Sequence, residues 1–158
     1  MKNMRRLALL VILAALPGCG DDDGASATQQ DGSQQAAQQN GGLALSVSFS
    51  EPLRSGQPAT WTLEVENGGS GEATLMFRSG KDGDVALLRD GREAYRWSAT
   101  RFFSQAMREV RIGPGDRKTY TLEEKTLPAD AGDYELVAEL DSEPAPPPAR
   151  RSVEVEKG

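Results

Sequence analysis

The sequence predicts an all-β fold, an antiparallel β-sandwich, and three observations carry that prediction. Apolar and polar residues alternate with a period of two, not 3.6, in segment after segment. Turn-forming pairs separate these segments at short intervals: Asn67-Gly68, Asp90-Gly91 and Pro114-Gly115. Finally, Asp130-Ala131-Gly132-Asp133-Tyr134 has the Asp-x-Gly-x-Tyr form of a tyrosine corner. In such a corner the Tyr hydroxyl bonds back to upstream backbone at the start of a late strand. Tyr134 therefore narrows the sandwich to an immunoglobulin-like one. Leu136 stands where antibody domains carry their second cysteine, and Cys19 is the single cysteine of the chain, so the sandwich has no disulfide.

The elements follow in order. In Leu43, Leu45, Val47 and Phe49 the apolar residues alternate with Ala and Ser, and in Trp61, Leu63 and Val65 with Thr and Glu. Each pattern marks a strand with one buried and one wet face. A turn at 67–71 leads to a strand ending at Phe77. Asp84–Arg89 and Glu93–Trp97 flank Asp90-Gly91 as a hairpin. Arg108–Ile112 and Lys118–Glu124 flank Pro114-Gly115-Asp116 as a second pair. Tyr134–Leu140 and Arg151–Glu156 close the chain, and the proline-rich stretch between them reads as extended backbone. The count is eight or nine strands within one domain, 43–158, of 116 residues.

The N-terminal residues read differently. Lys2, Arg5 and Arg6 precede an apolar run of ten residues, Leu7 to Leu16, and then Pro17-Gly18-Cys19. The run is half of the roughly 20 residues that a membrane span needs, but it suits a secretory signal over 1–18. Small residues and a cysteine directly after it resemble the lipobox of bacterial lipoproteins. The expectation is a lipid, palmitate among its chains, on Cys19, with the membrane as a partner through it. Gly20, where an Asp would signal retention, points to the cell envelope and its outer membrane. Residues 20–42 contain no Val, Ile, Leu, Met or aromatic residue. With nothing to bury, 19–42 is expected to be a disordered linker with a root-mean-square reach of roughly 25 Å.

Charge and composition exclude several functions. The chain has 18 basic and 24 acidic residues, and without Lys2, Arg5 and Arg6 its net charge falls from −6 to −9. That disfavours nucleic acid, which wants a basic face. No histidine is present, which removes the usual general base and the commonest metal ligand. An enzyme is not expected, and neither is a cofactor or a resident metal. Asp82, Asp84 and Asp90 offer oxygen ligands suited to calcium, but their spacing fits no EF-hand loop and acids at turns mostly form turns.

Four of the nine aromatic residues fall within 95–107, in Tyr95, Trp97, Phe102 and Phe103. Leu75-Met76-Phe77, Ser79-Gly80, Asp84, Asp90-Gly91, Glu93, Tyr95-Arg96-Trp97-Ser98, Phe103-Ser104-Gln105-Ala106-Met107 and Pro114-Gly115-Asp116 together resemble the BsuPI-type intracellular proteinase inhibitor family. Gly83, and Glu123-Glu124, stand where that family tends to have aromatic residues. The resemblance implies a binding module directed at a serine proteinase of the subtilisin type. The alternative is a non-inhibitory interaction or scaffolding lipoprotein whose partner is another envelope protein. Arg96, Trp97, Ser98, Phe103 and Gln105 are expected to be mainly structural, with Trp97 and Phe103 as core plugs and Arg96, Ser98 and Gln105 tying a crossover. Ala99, Thr100, Arg101 and Phe102 are expected to form an exposed recognition loop with Phe102 as its anchor.

Overall fold

A computed structural model describes residues 42–158. The expected signal segment 1–18, Cys19 and all but the last residue of the 19–42 linker lie outside the described residues. Among the described residues the strands are β1 (Leu43–Phe49), β2 (Leu53–Arg54), β3 (Ala59–Asn67), β4 (Ala73–Phe77), β5 (Gly83–Arg89), β6 (Arg92–Arg96), β7 (Arg108–Ile112), β8 (Arg117–Glu124), β9 (Gly132–Leu140), β10 (Ser142–Glu143) and β11 (Ala149–Glu156). A single 3₁₀ turn, Trp97–Thr100, follows β6. No helix among the described residues is long and apolar enough to cross a membrane.

The strands build an antiparallel, immunoglobulin-like sandwich. One sheet has the order β1-β3-β8 and the other β2-β11-β9-β5-β6. Relabelled in immunoglobulin letters, the first is A-B-E and the second G-F-C-C′ with β2 added alongside β11. The β2–β11 pairing is parallel; the other ladders run antiparallel. A third small sheet, β10-β4-β7, brings Leu75, Phe77 and Ile112 into the same core. The two-residue strands β2 and β10 are too short to leave a periodic signal in the sequence.

Alternation sets the core. Trp61, Leu63 and Val65 on β3 are fully buried, as are Val85 and Leu87 on β5 and Leu136 and Ala138 on β9. Tyr134 at the start of β9 donates its hydroxyl to the Asp130 carbonyl at 2.8 Å, and the Arg89 guanidinium lies 4.4 Å over its ring. This is the corner that the sequence predicts, on the strand that the immunoglobulin pattern assigns it to. The large buried tryptophan is Trp61, stacked on Tyr95 with ring centroids 5.6 Å apart.

Asn67, which the sequence marks as a turn former, is fully buried. Its side-chain amide donates to the carbonyls of Gly71 and Ile112, both at 2.8 Å, and accepts from the Gly69 N–H at 3.0 Å. It thus binds the 67–71 turn to the end of β7 and supplies the partners that buried backbone requires.

Candidate functional site

The site is the crossover that leaves β6 and returns to the third sheet at β7. Strand alternation stops at Arg96, and the 3₁₀ turn Trp97–Thr100 reverses the chain. Arg101, directly after the turn, is extended, with φ −115° and ψ 149°. Arg101 and Phe103 then face the domain while Phe102 between them is fully exposed. Ala99 and Thr100 are exposed too.

Asp84 fixes the start of the crossover. It lies on β5 and is 3 % exposed. One carboxylate oxygen accepts from the N–H groups of Val85 at 3.0 Å and Ser98 at 3.1 Å. The other accepts from the Ser98 hydroxyl in a very short bond and from Arg96 at 3.3 Å, with the Lys81 ammonium 3.6 Å away. A buried carboxylate is tolerated when its oxygens are paired in this way. Arg96 also binds Glu93 at 2.8 Å. That bond, ahead of the contact with Asp84, holds the Arg96 guanidinium's pKa above its usual value.

The second anchor is the end of β8. Trp97 donates its indole N–H to the Glu123 carbonyl at 3.0 Å. Arg101 donates to the same carbonyl at 2.8 Å and to the Glu124 carboxylate at 3.0 Å, and its guanidinium sits 4.4 Å over the Trp97 ring. Tyr95 donates its hydroxyl to Glu124 from the other side at 3.0 Å. Burial, reinforced by that bond to Glu124, pushes the Tyr95 hydroxyl far above the ordinary tyrosine value, so it stays a donor. Glu124, in a place where an aromatic residue was expected from the resemblance, thereby joins β6, β8 and the loop.

The third anchor is Gly80. Its N–H donates to the Ser104 carbonyl at 2.8 Å. A Cβ on Gly80 would lie 2.6 Å from the Ser104 hydroxyl oxygen, so a larger residue would force that hydroxyl to turn away. Phe103 packs on Trp97 with centroids 5.7 Å apart.

Three expectations are corrected by this geometry. Trp97 and Phe103 are not core plugs: both are half-buried, Trp97 packing against the edge of the core and Phe103 on Trp97, because the 3₁₀ turn takes the chain out of strand phase at Trp97. Arg101 is not a free member of the loop, since its side chain is 27 % exposed and spent on Trp97, Glu123 and Glu124. Gln105 is exposed and stands apart from the network that Arg96 and Ser98 form with Asp84.

The three aspartates considered for calcium do not converge. Asp82 pairs with Arg108, Asp84 is committed to Ser98, Arg96 and Lys81, and Asp90 forms the β5–β6 turn with φ 52°. Among the described residues no group of three or more His, Cys, Asp or Glu is placed to hold a metal ion.

Residues 46–145 match the family model described as BsuPI, intracellular proteinase inhibitor. The description is of an inhibitor and not of an enzyme. It also calls the family intracellular, which overturns the cell-envelope and outer-membrane location expected from the N-terminal residues. That expectation rests on a ten-residue apolar run and the residues around Cys19, a compositional pattern outside the matched domain. No curated protein sequence matches the chain. Among solved structures, the CARDB domain of PF1109 from Pyrococcus furiosus is similar at 19 % identity and a TM-score of 0.44, over 73 % of this chain and 94 % of that one. The sporulation control protein Spo0M from Bacillus subtilis is similar at 16 % identity and a TM-score of 0.44, over 73 % of this chain and 49 % of that one. A β-glucosidase from Listeria innocua is similar at 15 % identity and a TM-score of 0.42, over 72 % of this chain but only 16 % of the enzyme.

Proposed function

This chain belongs to the BsuPI family of intracellular proteinase inhibitors, and we propose that it inhibits a serine proteinase by presenting the loop Ala99–Phe102 to the active-site cleft. One observation carries the reading: Phe102 is fully exposed at the outer turn of a crossover whose flanks are fastened to Asp84, Glu123, Glu124 and Gly80. An exposed aromatic residue on a pinned loop loses little conformational freedom on binding, and pre-organisation of this kind raises affinity. Trp97, Phe103 and Arg101 serve the loop as props.

The experiment is an inhibition assay of the purified chain against subtilisin-type and other serine proteinases. Concentration-dependent, saturable inhibition of at least one supports the proposal. Failure to inhibit any proteinase of the panel at micromolar concentration would count against it and favour an interaction module without inhibitory activity.

Lipid attachment at Cys19, with divisions after residues 18 and 42, is a separate proposal supported by the order of Arg5, Arg6, the apolar run and Gly18-Cys19. The chain is expected to partition into detergent and its Cys19→Ser variant into the aqueous phase. Equal partition of the two would remove the lipid.

A further inference from the structure

Two large apolar side chains are exposed among the described residues, Phe102 and Met107, and only Phe102 sits on the proposed loop. Its neighbours in the chain cannot compete with it. The Arg101 side chain is held over Trp97 and bonded to Glu123 and Glu124, and Phe103 stacks against Trp97. The result is an in-out-in pattern over Arg101, Phe102 and Phe103, which presents one large side chain to solvent between two that are held against the domain.

A serine proteinase cleft reads a substrate in that form. It takes an extended strand, gains affinity from main-chain hydrogen bonds and gains specificity from pockets that receive alternate side chains. The primary pocket decides the choice: an acid at its base selects Arg or Lys, and an apolar slot selects large apolar rings. We infer that Phe102 is the residue that enters the primary pocket, so the target is a proteinase with a deep, uncharged, aromatic-accepting pocket. This rests on the inhibitor reading above and sharpens it.

The arrangement on either side fits that role. Ala99 and Thr100, before the aromatic, are small and exposed, and clear the rim of a cleft. Phe103, after it, is fastened to the domain through Trp97, and Ser104 through Gly80. The segment that follows the pocket residue is therefore held in place. Arg101, which by charge would suit a trypsin-type pocket, is turned inward by three separate contacts. Selectivity against Arg-specific proteinases thus comes from where the guanidinium is placed, not from its absence.

The test measures inhibition constants for the wild-type chain, Phe102→Ala, Phe102→Lys and Met107→Ala. The panel contains subtilisin and chymotrypsin, which accept large apolar rings, and trypsin, which accepts Arg and Lys. The wild type is expected to inhibit one or both of the first two and to spare trypsin. Phe102→Ala should raise the inhibition constant about 30-fold or more, the scale of an interface hot spot. Phe102→Lys should lose the original target and gain trypsin. Met107→Ala should change the constant less than about threefold, as a side chain outside the hot spot does. If the wild type inhibits and Phe102→Ala inhibits equally well, or if Met107→Ala is the more damaging, Phe102 is not the pocket residue, although the inhibitor reading stands. If the wild type inhibits trypsin alone, the target class is wrong. If it inhibits nothing, both readings fall together. Circular dichroism of each variant separates misfolding from lost recognition, and this fully exposed residue should leave the fold intact.

Discussion

Two aromatic pairs in this molecule have nearly the same geometry and opposite roles. Trp61 and Tyr95 stack at 5.6 Å between centroids, and Trp97 and Phe103 at 5.7 Å. Trp61 is fully buried and Tyr95 nearly so, whereas Trp97 and Phe103 are half-exposed. The inner pair joins β3 to β6 across the sandwich and belongs to the fold. The outer pair lies against the end of β8 and supports a loop. Ring spacing alone says nothing of function; what separates the pairs is the water that each has lost. Burial makes the first pair a source of stability. Partial exposure leaves the second free to hold a surface in shape at modest cost to the domain.

The largest expected effect tests the inner pair. Trp61→Ala should destabilise the domain by about 3–5 kcal/mol, the usual loss for a large buried aromatic. A domain of this size has a total stability of about 5–15 kcal/mol, so the variant should be marginal or unfolded in a denaturant melt. A loss below about 1 kcal/mol would mean that the core collapses around the cavity, and the contrast between the pairs would disappear.

Asp84→Ala comes next, at about 2–3 kcal/mol, because it strips partners from the Ser98 N–H and hydroxyl and from Arg96. It also frees the start of the loop from β5. The two regions should separate here by more than stability: at temperatures where Asp84→Ala remains folded, proteolytic nicking should appear at 98–104 and nowhere in the sheets. Uniform resistance along the chain would show that β8 alone secures the loop.

How much of this was legible follows from the same contrast. Tyr134, the strands from β1 to β11 apart from the two-residue pieces, and the missing disulfide could all be read, because a period of two and a corner motif are local signals. The outward position of Phe102 was expected from its place beside Phe103. The assignment of the core tryptophan went wrong. Trp61 was placed on the buried face of an alternating strand but not singled out as the core aromatic, while Trp97 sat in an aromatic cluster and was taken for the plug. The 3₁₀ turn that rotates Trp97 out of strand phase has no composition of its own, and Trp97-Ser98-Ala99-Thr100 would serve equally in a strand. Asn67 was legible as a turn former through its bonds within 67–71, but its tie to Ile112, 45 residues away, and that of Glu124 to Tyr95, 29 residues away, are recorded by no local pattern.

Trp97→Ala is expected to cost about 1–2 kcal/mol, the sum of a half-buried ring's contacts rather than a core cavity. It removes the stack with Phe103, the platform under Arg101 and the bond to Glu123. Its effect on inhibition should exceed its effect on stability, because a loosened loop must be ordered again on binding. Trp97→Phe keeps a ring beneath Arg101 and should recover most of the inhibition. If Trp97→Ala instead matches Trp61→Ala in a melt, the outer pair is part of the core and the division proposed between the two is wrong.

The smallest effect at neutral pH is expected from Tyr95→Phe, at about 1 kcal/mol, an ordinary net hydrogen bond. Glu124 keeps its contact with Arg101, so no carboxylate is left stranded. The distinction becomes sharper in alkali. The inner pair contains an ionisable ring and the outer pair does not. Burial holds the Tyr95 hydroxyl well above its unfolded value of 10, and burial likewise pushes Tyr120 up to about 12. Below pH 10 both states keep these protons and the contribution to stability is complete. As pH rises past 10 the unfolded chain releases them while the folded chain cannot, so stability falls with pH. The wild type should therefore lose stability steadily above about pH 10, and Tyr95→Phe should flatten that slope. Tyr120, whose buried hydroxyl has no partner, can be changed to Phe at little cost, and the double variant should flatten the slope further. Melts from pH 8 to 11.5 measure this directly. A slope unchanged in the double variant would place the alkaline weakness outside the inner cluster, in the exposed ion pairs of the sheet surfaces.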